Sequence, residues 1–241
     1  MSSPSLFSAP ISPPQAPLLV PKYCAPPPRW SAKTCVEIGD VRIARELGIS
    51  PVAVAILRVR GYKTAAQIES FFHPTPHLLR DPSGLPDIEN AVSRLANAIR
   101  GGEKILIFGD YDVDGITSTA LVKRTLDLLG ANCAFRLPER DEGYGLSVAR
   151  IDEAKERGFD LMLTVDCGIT AIEPAQRARE IGLDLLITDH HEPREDGLLP
   201  DAIAVVNPKR ADSQYGFTGL SGCGVAFKVL QLLVGEIAPE K

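Results

Sequence analysis

Ile105-Leu-Ile-Phe-Gly-Asp-Tyr-Asp-Val-Asp-Gly-Ile116 carries three carboxylates, Asp110, Asp112 and Asp114, at alternate positions directly after an apolar run. A short apolar run closed by a turn signal reads as a buried strand, here Lys104–Phe108. Alternation then matches the period of two of an extended chain, so the three side chains can project to one side. Gly115 is read as the turn, and Ile116–Leu129 as the helix that follows. Three like charges crowded in this way repel one another unless something positive sits among them. A divalent metal meets that need, and oxygen ligands suit Mg²⁺ or Mn²⁺. The alternative is a set of solvated loop and helix-capping acids.

Two further segments repeat the pattern of an apolar strand ending in ligand-type residues. Asp160–Val165 leads into Asp166-Cys167-Gly168, and Leu183–Thr188 leads into Asp189-His190-His191. In an open parallel sheet the carboxyl ends of the strands line one crevice, where ligands bind. The acidic triplet, Asp166 and the histidine pair are therefore expected to converge. Carboxylates mixed with imidazole suit Mn²⁺ and can hold two ions about 3.5–4 Å apart, the arrangement used to hydrolyse phosphate esters.

From Lys104 onward strand and helix patterns alternate, which predicts an α/β fold with a doubly wound, mostly parallel sheet. The strands are read at Lys104–Phe108, Cys133–Leu137, Asp160–Val165, Leu183–Thr188 and Ala202–Val206. The helices are read at Ile116–Leu129, Ser147–Arg157, Ala171–Ile181 and Gly222–Val234. Residues 30–101 read as a small helical preface, with helices at Asp40–Leu47, Pro51–Arg60, Thr64–Phe72 and Asp87–Arg100. Ile56, Leu57, Val59, Ile68, Phe71 and Phe72 are its expected core. Met1–Arg29 holds nine prolines and five serines and is read as a disordered tail.

Several loops offer substrate contacts. Arg140 supplies a bidentate fork for phosphate and Tyr144 a face for base stacking, while Gly143 and Gly145 let the backbone come close. A plain flexible turn is the competing reading. Ser221-Gly222-Cys223-Gly224 opens a helix. Its glycines, Gly222 and Gly224, either bind an anion or make a tight helix entry. Asn207-Pro-Lys-Arg210 either touches phosphate or is ordinary surface.

Four motifs occur in order: Asp110-Tyr-Asp-Val-Asp-Gly115, Arg140-Asp-Glu-Gly-Tyr-Gly145, Val165-Asp-Cys-Gly168 and Asp189-His-His191. Together they resemble those of the DHH phosphoesterases. The wording of the first, and Gly222-Cys-Gly-Val-Ala-Phe-Lys228, is similar to the RecJ-type exonucleases of that family. The resemblance runs from about Val41 to the end. It implies a DHH phosphoesterase domain over residues 102–241 that digests single-stranded DNA from the five-prime end to mononucleotides, in repair and recombination. It implies that Asp112 and Asp114 are paired metal ligands, with Asp110 a ligand or its neighbour, and that Asp166 bridges two metals. It implies that His190 is a ligand, that His191 lies at metal or phosphate, and that Asp189 orients the site. Where some relatives place a histidine, this chain has Phe108. Relatives continue beyond the point matching Lys241 with a further ligand Asp and more domains, so the resemblance implies a chain truncated at its C-terminus and one metal ligand short, which by itself binds a second ion weakly and has low or no activity. A small-substrate phosphodiesterase, acting on oligonucleotides, cyclic dinucleotides or pyrophosphate, and a catalytically incomplete scaffold are the alternative functions.

The chain has 241 residues and a formal net charge of −5, which does not favour tight binding to a phosphate backbone. No apolar run reaches the roughly 20 residues of a membrane span, and no secretory leader is evident. The cysteines (Cys24, Cys35, Cys133, Cys167, Cys223) are widely spaced and odd in number, which argues against a disulfide frame and fits a reducing cytoplasm.

Overall fold

Ser50-Pro51, and Thr64 followed three residues on by Gln67, are helix-start signals, and each opens a helix. A computed structural model describes residues 31, 34–139 and 145–238 of the chain. The readings of the Pro-rich tail, Arg140, Gly143 and Tyr144 lie outside these described residues. In the first unit the helices are α1 (Ile38–Leu47), α2 (Pro51–Val59) and α3 (Ala65–Phe72). Ser50 Oγ accepts from Val52 N at 3.3 Å, and Thr64 and Gln67 cap each other reciprocally. Ala44, Val54, Leu57 and Ile68 form the core of this unit, and the Arg58 guanidinium lies 2.9 Å from the buried Asp40. Of the expected core residues, Ile56, Val59, Phe71 and Phe72 stand at the surface instead. In a helix this short only one narrow stripe faces inward, and in α2 Val54 and Leu57, three residues apart, take it.

The chain divides between Leu78 and Leu79. The helix α4 (Ile88–Gly101) therefore belongs with the sheet and not with the preface, so the preface is shorter than the 30–101 that the sequence pattern predicts. The reason is its apolar stripe. Ile88, Ala91, Val92, Leu95 and Ala98 are buried in the same core as the sheet residues Ile105 and Ile107. Gly102 ends α4 in the left-handed region at φ 67°, donating its N–H to Ala98 O and Ile99 O.

The second unit is built on five strands, β1 (Lys104–Phe108), β2 (Asn132–Arg136), β3 (Leu161–Val165), β4 (Asp184–Thr188) and β5 (Ala204–Val206). Their order is β2-β1-β3-β4-β5, and every pair is parallel. The observed strands match the sequence reading to within one or two residues at each end. The inner strands are mostly apolar because both faces are covered, with polar residues confined to positions at or near their ends. On one face Ile105, Ile107, Leu161, Leu163 and Val165 pack with α4, α5 (Val113–Leu128) and α8 (Gly222–Ile237). On the other, Leu106, Phe108, Met162, Leu185 and Ile187 pack with α6 (Val148–Glu156) and α7 (Ile172–Ile181). Phe108 is thus a core residue, 1% exposed.

From β1 the chain moves outward to β2 and then crosses back to β3 on the other side. That reversal parts the connections above β1 and β3, and a crevice opens at their carboxyl ends. Leu163 is 1% exposed on the central strand β3. Leu163→Ala is expected to lower unfolding free energy by about 2–5 kcal/mol, read as a shift in the urea midpoint at unchanged slope.

Candidate metal centre

The β1–α5 connection is set by close packing. Gly109 N extends the ladder to Arg136 O at 3.1 Å. A Cβ on Gly109 would lie 2.0 Å from Thr119 Oγ1, and one on Gly115 would lie 2.5 Å from the Asp110 carbonyl oxygen. Gly115 therefore serves close approach inside the first turn of α5, and is not the turn itself. Asp110 follows the strand, buried, with Oδ1 accepting from Tyr111 N at 2.7 Å. Asp112 is the N-cap of α5, extended, and accepts from Gly115 N at 2.9 Å.

Asp114 departs from the alternation read in the sequence. The helix starts at Val113, three residues earlier than expected, so Asp114 is helical. Its carboxylate accepts from Gly222 N at 2.7 Å and from Cys223 N at 2.9 Å, at the start of α8. Those amides are thus spent on an internal anion, and Gly224 N is spent on Ser221 Oγ at 3.1 Å. The reading of Gly222 and Gly224 as a substrate anion site gives way to a tight helix entry. Arg210 is likewise engaged, held by Asp87 and Asp212 with its side chain 8% exposed.

Asp166 follows β3 with φ 63°, the left-handed region that few residues other than glycine adopt. It is fully buried, and among the described residues neither of its oxygens has a hydrogen-bond donor. His190 Nε2 stands 3.1 Å from Oδ1 without the alignment of a hydrogen bond, and 3.6 Å from Asp114 Oδ2. Burial, and then the charges of Asp114 and Asp112, push the Asp166 carboxyl up to about 8. Burial also raises Asp110, with the Asp112 charge adding to it.

Asp189 is the opposite case. It too is buried, but it accepts from Ile169 N at 2.9 Å, His190 N at 2.7 Å, His191 N at 3.1 Å and His191 Nδ1 at 2.7 Å. Burial pushes its carboxyl up, and the hydrogen bonds from His191 and Ile169 outweigh that and hold it below the usual range. The same Asp189 bond raises His191. With Nδ1 on Asp189, the orientation of the His191 ring is fixed.

The donor atoms fall into two triads that share Asp166. One is Asp110, Asp112 and Asp166, the other Asp166, His190 and His191, and within each triad the atoms lie within 4.8 Å of one another. A buried carboxylate without donors, flanked on both sides by oxygen and imidazole donors, suits divalent cations. Asp114 lies outside both triads but beside His190. Next to them a cleft of about 670 Å³ is bordered by Gly145, Ser147, Thr170, His191 and Arg194, so Gly145 is on its rim.

Two supporting threonines escaped the sequence reading, and Asn207, read as a phosphate contact or surface, supports the site from within. Thr188 Oγ1 donates to Thr164 O at 2.8 Å, and Thr164 Oγ1 to Cys167 O at 2.8 Å, fixing the strand ends. Asn207, fully buried, donates to His191 O at 3.0 Å. The available signal was a threonine near the end of each of two apolar strands.

The description "DHH family, N-terminal domain" matches residues 104–241. The chain belongs to the DHH family. Among its DHH relatives, the single-stranded-DNA-specific exonuclease RecJ of Bacillus subtilis is 43% identical over 213 residues, covering 88% of this chain and 27% of that protein. RecJ of Thermus thermophilus is 34% identical, covering 85% of this chain and 29% of that protein. The chain therefore spans about a quarter of the length of these relatives. A crystal structure of exonuclease RecJ bound to manganese matches with TM-score 0.58 and 36% identity over 64% of this chain and 39% of that one. Thermus thermophilus RecJ in complex with Mn²⁺ matches with TM-score 0.64 and 31% identity over 82% of this chain and 27% of that one.

The carboxyl of Asp166 carries a proton in the folded chain between its ordinary value of 3.8 and about 8, where the unfolded chain has lost it. A raised acid gives stability that is fullest below the lower value and is lost as pH climbs to the upper one. Without metal, the melting temperature is expected to fall between about pH 4 and about pH 8. Asp166→Asn should flatten that fall and raise the melting temperature at the alkaline end. A slope unchanged by the substitution would show that other groups set it.

Proposed function

We propose that this chain carries the metal centre of an exonuclease that hydrolyses single-stranded DNA from the five-prime end, releasing mononucleotides, in repair and recombination in the cytoplasm. The observation that carries the reading is the pair of donor triads meeting at a buried Asp166 without hydrogen-bond donors. The relatives' names and the manganese in their crystal structures support it. Among the described residues no helix is long and apolar enough to cross a membrane.

Asp110, Asp112, Asp166, His190 and His191 would hold Mn²⁺ or Mg²⁺, with Asp114 beside them. Bound there, such ions supply Lewis-acid polarisation of the phosphoryl oxygens and neutralise the charge that develops on them. The chain's own groups do the rest. Asp189 fixes the His191 ring through Nδ1 and so sets the orientation in which the ring meets the site. Asn207 holds the His191 carbonyl, and with it the backbone of the histidine pair. Arg140 and Tyr144 are proposed to contact phosphate and base.

The test is digestion of a three-prime-labelled single strand with Mn²⁺, beside a duplex of the same sequence and a dinucleotide. Slow stepwise shortening of the single strand, lost in Asp166→Ala, is the expected result for this chain by itself; preference for the dinucleotide would point to a small-substrate phosphodiesterase. Asp189→Asn, which leaves every donor of the two triads in place, should weaken Mn²⁺ binding about 10- to 100-fold, measured by calorimetry.

A further inference from the structure

The start of α8 approaches Asp166 more closely than a side chain would permit. A Cβ on Gly222 would lie 2.2 Å from Asp166 Oδ1, 2.6 Å from its Cγ and 2.7 Å from its Cβ. Turning the Asp166 side chain about its own Cα–Cβ bond moves Oδ1 and Cγ aside but leaves Cβ in place. An alanine at 222 must therefore displace backbone, either at the start of α8 or in the turn after β3. That turn has little freedom. Asp166 N is bonded to Thr188 O at 3.0 Å, its φ is already positive, and the Cys167 carbonyl is held by Thr164 Oγ1 at 2.8 Å. On the same turn of α8 the amides of Gly222 and Cys223 hold the Asp114 carboxylate at 2.7 and 2.9 Å. One helix start thus touches two carboxylates in different ways. It gripped Asp114 with hydrogen bonds, and it admits Asp166 by having no side chain there. The positive end of the α8 dipole faces both.

We propose that Gly222 is a positioning residue of the metal centre, whose missing side chain lets Asp166 stand where the two donor triads meet while its amide helps fix Asp114. This rests on reading the site as a metal centre. Gly222 itself touches no metal; it acts through the two carboxylates.

The experiment is Mn²⁺ titration of the whole chain by calorimetry, paired with electron paramagnetic resonance of the bound ions, on wild type, Gly222→Ala and Gly235→Ala. Gly235 lies in the same helix, and a Cβ there meets nothing within 4 Å, so it controls for the effect of alanine on α8. Wild type and Gly235→Ala are expected to bind two ions, the second more weakly than the first, with a spin-coupled spectrum. Gly222→Ala is expected to lose the coupling and bind the second ion about 10- to 100-fold more weakly, with its circular dichroism unchanged. Wild-type affinity and spectrum in Gly222→Ala would overturn the proposal. If Gly222→Ala does not fold, Ser221→Ala decides. It removes the cap on Gly224 N, adds no clash and touches no carboxylate. It should weaken the second ion several-fold, with Ser221→Thr restoring it; unchanged binding in Ser221→Ala would overturn the proposal. A wild type that binds no Mn²⁺ would instead sink the metal-centre reading, and this inference with it.

Discussion

Repulsion among carboxylates at the ends of β1, β3 and β4 is the constraint around which this domain is arranged. In water five such charges would be screened; in a crevice of lowered dielectric their mutual energy rises several-fold. The chain distributes its hydrogen-bond donors unevenly among them. Asp189 has four, Asp114 has two amides of α8, and Asp112 and Asp110 have one each. Asp166, the most deeply buried, has none among the described residues. The result is a gradient of satisfaction that ends at Asp166, which is therefore the group with most to gain from a cation.

The sheet makes this possible. Parallel strands bring all their carboxyl ends to one edge, and the β2-β1-β3-β4-β5 order leaves that edge open between β1 and β3. Apolar packing on both faces holds the strand ends in place, so the polar residues beyond them need not stabilise the fold. They are free to be arranged at a cost, which includes the positive φ of Asp166.

Much of this was legible in the sequence because it is local. Apolar runs such as Leu161–Val165 mark buried strands by themselves, and a charged or imidazole residue straight after the run marks the crevice end. The fold class and the convergence of Asp110, Asp112, Asp166, His190 and His191 both followed from that rule. What was hidden depends on partners distant in sequence. The alternation of Asp110, Asp112 and Asp114 looked extended, but Asp112 caps α5 and turns Asp114 into its first turn. The glycine-rich start of α8 looked free to bind an anion; its partner lies 108 residues earlier, at Asp114. Arg210 looked like surface until Asp87, from before α4, covered it. The limit of the helical preface was misplaced for the same kind of reason, since the stripe on α4 does not say which core it joins.

The distance between Asp114 and its clamp also bears on the order in which the chain matures. A ribosome delivers Asp110, Asp112 and Asp114 more than a hundred residues before Gly222 and Cys223. Until the start of α8 has emerged and docked, the first acidic cluster has neither its shared carboxylate set in place nor its fixed amides. The first acidic cluster is thus completed late, by a helix far along the chain, and a nascent chain halted before α8 holds Asp114 without its two amides.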